Sequence, residues 1–224
     1  MPDSSRQKAA AAEIARLRSD VEKYAAYLDQ PADRFLDAQF ISFHTGIPPE
    51  RVRELLEGAL PEPEPQGKEA LEEFQKNLFR ARLNFLRSTR TKVTPQGEEP
   101  FSLREIAEGT SISYQMVSLL LSGKRSPNAA HADRLEKFFD RASQQRTPPS
   151  SVPRGFCHRD EATALLAHLT QMVHTDLRTL VLATLADEFD STSVALRGTG
   201  EIDVVTLLPV LAQLREDARA RRGR

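Results

Sequence analysis

Proline placement constrains this chain before any other feature does. Residues 59–67 read ALPEPEPQG, with Pro61, Pro63 and Pro65 alternating with glutamate. Proline has no backbone N–H and a fixed φ, so this run cannot continue a helix and favours an extended, semi-rigid spacer. Residues 147–155, TPPSSVPRG, hold three more prolines and two serines without apolar periodicity. The two runs divide the 224 residues into modules at 1–58, 68–146 and 156–219, followed by a basic tail at 220–224.

Every module reads as helical, so the expected fold is all-α. Apolar residues recur at three- and four-residue intervals, while strand-like alternation is rare. Phe74, Leu78, Leu83 and Leu86 form one stripe. Ile106 and Ala107 fall in a short helix after Ser102; Val117, Leu120 and Leu121 fall in the next, and Leu135, Phe138 and Phe139 in a third. In the last module Leu165, Leu169, Met172, Leu180 and Leu185 keep helical spacing. Ser191–Glu201, with two glycines, breaks the pattern, and Pro209 marks the start or a kink of a final helix. Ten glycines, three tyrosines and no tryptophan leave little for β-turns and aromatic strands.

Composition excludes several classes. A 39% hydrophobic content can fill a core. No run approaches 18 uninterrupted apolar residues, so no membrane span is expected. Residues 1–20 contain no apolar signal core, and the single Cys157 rules out an intrachain disulfide, so a reducing cytoplasmic setting is expected. Charge is uneven beneath a net −1: residues 1–70 carry 9 basic and 13 acidic side chains, residues 71–147 carry 13 and 9, and residues 148–224 carry 9 and 10. The basic middle points to an anionic partner.

The informative stretch is FSLREIAEGTSISYQMVSLLLSGKR, residues 101–125. Ser102 is placed to cap a two-turn helix. Gly109 is available for a positive φ in the connection, Ile112 would plug between two helices, and Ser113 would cap the second. Gly123 ends it. The second helix presents Tyr114, Gln115, Ser118 and Leu119 from its exposed face, and these are the expected DNA base contacts. Glutamine can bond adenine bidentately, serine suits either base type, and an apolar or aromatic group can meet a thymine methyl. Met116, Val117, Leu120 and Leu121 would face the core, with Met116 partly exposed. Lys124, Arg125, Ser102, Ser113, Arg90 and Lys92 are the expected phosphate contacts, with Arg87 a further candidate in the run RSTRTK.

The stretch SLREIAEGTSISYQMVSLLLSGKRSPNAAHADRLEKFF resembles a lambda-repressor-like, XRE-type helix-turn-helix through its Ile106-Ala107 pair, its Ile112-Ser113 turn and its Ser122–Arg125 exit. Together with ARLNFL (81–86) and TPQGEEP (94–100), it is similar more narrowly to the actinobacterial regulators related to EspR. The resemblance runs over about 76–146, extends weakly over 156–217 and does not reach 1–70. It implies a five-helix-type DNA-binding domain on double-stranded DNA and a C-terminal dimerisation module. Ser111 stands where most such turns have glycine, so the turn would use Gly109 or another geometry.

Residues 37–58 carry a second pattern of this kind, with Ile41, Gly46, Ile47, Val52 and Leu55 in place and Pro49 in the first helical turn. Glu50, Glu54 and Glu57 oppose phosphate there, so a docking or oligomerisation module is favoured, with a possible protein partner; DNA contact would need Arg51 and Arg53 to face outward. Catalysis finds no support: His168 and His174 are six apart and not on one helix face, Cys157-His158 sits in a linker without metal spacing, and no phosphate loop or nucleophile elbow is present. No metal or cofactor is expected. The leucine-rich third module, about 65 residues, makes a thin core alone, which favours a homodimer. The tail should fray, with an electrostatic DNA contact as the other reading. The expectation is a dimeric, sequence-specific transcriptional regulator at the nucleoid. An architectural nucleoid protein and a helical protein–protein adaptor are the alternatives.

Overall fold

The computed structural model describes residues 4–144, 152–189 and 204–222, and it is mostly helical. α1 (Ser4–Tyr27) precedes the short helices α2 (Ala38–Thr45) and α3 (Pro49–Leu56). α4 (Lys68–Thr89) follows the first proline run, and a hairpin of β1 (Lys92–Thr94) and β2 (Gly97–Glu99) leads into α5 (Leu103–Thr110), α6 (Tyr114–Leu121) and α7 (Ala129–Gln144). α8 (Glu161–Gln171) passes through a π-helical turn at Met172–Leu177 into α9 (Arg178–Phe189), and α10 (Val204–Arg222) comes last. No described helix is long and apolar enough to cross a membrane. The break expected over Ser191–Glu201, residues 147–151 of the second proline run, the Leu185 side chain and the tail's end lie outside the described residues. Pro209 falls inside α10 rather than at its start.

A short antiparallel hairpin, not expected from the sequence, connects α4 to α5. Val93 pairs with Glu98 and Thr94 with Gly97. Pro95 and Gly97 take the second and fourth positions of a four-residue turn, where each is favoured, and the Thr94 hydroxyl donates to the Gly97 carbonyl at 2.9 Å.

Two apolar cores form, and they do not follow the three modules. The first joins Ile14, Leu17 and Val21 of α1 and Ile41, Val52 and Leu55 of α2 and α3 to Leu165, Leu169, Val181 and Leu208 of the C-terminal helices. Leu165, Leu169, Val181 and Leu208 of the C-terminal helices are therefore covered within the chain, while Leu207 and Val210 stay outward. Leu180, expected in the buried stripe, faces solvent. The other core gathers Phe79, Leu83 and Leu86 of α4 with Ile106, Val117, Leu120, Leu135 and Phe139. Phe74 and Leu78 are only half-buried; Phe79 and Arg82 take the inward positions on α4.

The end of the second proline run is also not a free spacer. Val152, Phe156 and Cys157 enter the second core. Carboxylates of α7 hold their backbone: Glu136 accepts from the N–H groups of Gly155 (2.8 Å) and Cys157 (2.9 Å), and Asp140 accepts from Val152 N–H (2.8 Å). Such charge-assisted bonds replace a helical ladder where the chain has none. Cys157 is fully buried, and burial pushes its thiol well above the usual range, which makes it a packing residue.

Two buried arginines of the central segment join the cores. Arg82 donates to the Thr45 carbonyl and, at 3.3 Å, to the Arg159 carbonyl. Arg90 donates to the Phe43 carbonyl at 2.8 Å, with its guanidinium 3.5 Å from the centre of the Phe43 ring. Phe43 and Thr45 lie in the last turn of α2, where carbonyls have no intrahelical partner and a cation is favoured. Arg90 is fully buried, so its assignment as a phosphate contact is corrected: desolvating it cost energy that the α2 terminus offsets, and nothing of it faces solvent. Arg51 is likewise committed. It grips Glu161 through two bonds of 2.9 and 2.7 Å and donates to the Leu60 carbonyl at 2.8 Å, so α3 faces the rest of its own chain.

Beside this joint the His44 and His168 rings stack, 5.4 Å apart and 14° from parallel. Burial, then the neighbouring His44, lowers His168 to about 4. Burial, then Arg90, lowers His44 as well, while Asp176 works against the shift. A histidine free in the unfolded chain titrates near 6.5. Between pH 6.5 and about 4 the unfolded state therefore binds more protons, and stability is lost as pH falls through that window. For His168 the loss amounts to roughly 3 kcal/mol. Urea unfolding at pH 7.0 and 4.5 should show a smaller pH-dependent loss in His168→Leu than in the wild type; equal losses would mean that the imidazole is not buried uncharged.

Candidate nucleic-acid interface

The candidate surface is built on α5, α6 and the residues between them. Ser102 caps α5 reciprocally: its hydroxyl accepts from Glu105 N–H while its own N–H donates to the Glu105 carboxylate at 2.8 Å. Lys92 reaches from the hairpin to the same carboxylate at 2.6 Å. Lys92, then Ser102, hold that carboxyl at about 2, far below the usual range. The positive end of α5 and the Lys92 ammonium thus already face an anion. Both were expected to meet phosphate, and here each is occupied from within the chain.

The turn between the two helices does not use Gly109. Gly109 is an ordinary helical residue of α5 packed against Phe138, and a Cβ there would collide with that ring. Ser111 itself takes the left-handed conformation, φ 55° and ψ 35°. Ile112 follows, buried in the core as expected. Ser113 caps α6, accepting from Met116 N–H at 3.3 Å, so its hydroxyl serves the helix. At the far end Gly123 (φ +71°) turns the chain, Lys124 N–H donates to the Leu119 carbonyl at 2.9 Å, and the Asn84 side chain donates to the Leu121 carbonyl at 3.1 Å. The carboxyl end of α6 is therefore fastened to α4.

Within this frame Val117 and Leu120 point into the core and Met116 and Leu121 are half-buried. Tyr114 is 58% exposed and Gln115 is exposed, with no described segment laid over them. Ser118 and Leu119 are half-buried. Ser122 is exposed and stands seven residues after Gln115, on the same side of the helix; its spacing was readable and was not used. Lys124 and Arg125 are exposed and form no ion pair among the described residues. Two cations missed by sequence reasoning border the same surface. The Arg80 side chain lies against Gly123, and Arg134 reaches the Ser111 carbonyl at 3.4 Å. Neither could be found from the motif, because α4 and α7 supply them. Arg87, in contrast, is engaged with the Phe101 carbonyl at 3.0 Å.

The structure thus keeps Tyr114, Gln115, Lys124 and Arg125 as an outward group, with Ser118 and Leu119 at its edge. It draws Ser102, Ser113 and Lys92 into local bonds and buries Arg90. No family model matches the chain, and no curated protein or solved structure matches it significantly.

The turn geometry yields a pair of opposite effects. Gly109→Ala should destabilise by roughly 1–3 kcal/mol through overpacking against Phe138. Ser111→Gly should stabilise by up to about 1 kcal/mol, since it relieves a left-handed non-glycine residue. Chemical denaturation of the two variants checks this; reversed signs would place the turn at Gly109.

Proposed function

We propose that the chain is a sequence-specific DNA-binding transcriptional regulator, with α5 and α6 acting as a helix-turn-helix and α6 entering the major groove. The observation that carries this reading is the exposed first turn of α6, capped by Ser113 and braced at its other end by Asn84. Tyr114 and Gln115 stand where a groove-entering helix reads base edges, and Ser118 and Leu119 would meet the floor on closer approach. Lys124 and Arg125, joined by Arg80 and Arg134 at the border, supply positive charge for phosphates. The resemblance to XRE-type and EspR-related regulators points the same way. A copy paired through the outward Leu207 and Val210 of α10 would present two such helices to one duplex.

The two roles separate experimentally. Gln115→Ala should cost roughly 1–3 kcal/mol on the preferred duplex and much less on a scrambled one. An equal loss on both would remove Gln115 from base reading. Lys124→Ala with Arg125→Ala should weaken binding to both duplexes and flatten the dependence of log K on log salt by about 2 units. An unchanged slope in a salt titration would contradict phosphate contact.

A further inference from the structure

A cavity of about 560 Å³ opens where α2, α8 and the segment around Phe156 meet. Its wall includes Phe40 and His44 of α2, His168 and Gln171 of α8, and also Arg159 and Asp176. Cavities between separately packed parts of a chain, apolar with a few converging polar groups, are where small ligands bind.

Three observations define what fits. The first is an aromatic wall left partly open, in which the Phe40 ring is tilted 55° to those of both His44 and His168. Phe40 is 51% exposed, yet its ring lies 4.4 Å from that of His44 and 6.0 Å from that of His168, and those two are themselves stacked. The exposed Phe40 ring, with the imidazoles set at an angle beside it, suits an aromatic partner that stacks on one ring and meets the others edge-on. The second is Nε2 of His168, which is buried and has no hydrogen-bond partner among the described atoms. A buried polar atom left unpaired is costly, and a ligand hydroxyl would satisfy it. The third is Arg159. It is half-buried and forms no ion pair among the described residues, whereas Asp176 is exposed to solvent. The half-buried charge acts through less water, so the cavity favours an anion over a cation. A metal ion is a poor fit, because no group of three ligating side chains exists among the described residues.

We propose that this cavity is a binding site for a planar aromatic carboxylate, its ring against Phe40 and the stacked imidazoles and its carboxylate on Arg159. The neutral His168 imidazole serves as an uncharged hydrogen-bonding group for a ring hydroxyl. The ligand would sit one residue from the α2 carbonyls that Arg82 and Arg90 hold, at the joint between the two cores. The site stands independently of the DNA-binding reading, and its test contains no DNA.

The probes are 6-hydroxy-2-naphthoate and its carboxamide, titrated calorimetrically into the full chain at pH 7. The carboxylate should bind saturably with one equivalent, at least ten-fold more tightly than the amide. Arg159→Gln should abolish that difference, and the imidazole NMR signals of His44 and His168 should shift on binding to the wild type. Absence of saturable binding, equal affinity for acid and amide, or binding that ignores Arg159→Gln and leaves both imidazole signals in place would each overturn the proposal.

Discussion

The grip of two arginines, Arg82 within α4 and Arg90 just past its end, on the last turn of α2 is the interaction on which the architecture depends. A helix ends with carbonyls that point at nothing, and a short helix such as α2 has few other bonds to compensate. Arg82 and Arg90 fill that vacancy from a different core. Each guanidinium is removed from water, so either would be expensive without the carbonyls and the aromatic faces beside it. Burial lowers Arg82 to about 10, which still leaves it charged at neutral pH. The consequence is a joint that is polar and directional between two apolar cores. It sets where α4 sits, and α4 in turn holds the carboxyl end of α6 through Asn84.

The same logic recurs in the segment around Phe156, which packs beside Arg82. Glu136 and Asp140 of α7 receive backbone N–H groups from the chain that leaves the second proline run. Prolines prevent that stretch from satisfying itself by helix formation, so carboxylates do it from outside. Basic side chains hold the end of α2, and acidic side chains hold the irregular backbone that packs beside it. The charged groups of α5 pair locally, Glu105 with Lys92 and Glu108 with Arg104.

Local chemistry was legible in the sequence and distant pairing was not. Ser102 and Ser113 cap α5 and α6 where their positions predict, because a cap bonds only two or three residues ahead. The core positions Ile112, Val117 and Leu120 follow from periodicity alone. Periodicity says that a face is buried but not by what, so it did not show that α1 and α2 cover Leu165 and Leu169. Arg90 in a basic run reads as a surface cation; its partner, Phe43, is 47 residues away. Likewise the bond between Arg51 and Glu161 spans 110 residues. The hairpin was missed because its strands are only three residues long, too short for alternation to register. Gly109 packs closely against Phe138 within α5, and Ser111 takes the left-handed position.

The central claim is that the outward turn of α6 reads nucleotide sequence. Selection of bound duplexes from a random pool by the full chain tests it most directly. A single short motif, enriched over successive rounds at physiological salt, is the predicted result. Retention of duplexes without any enriched motif, or no retention at all, would contradict it.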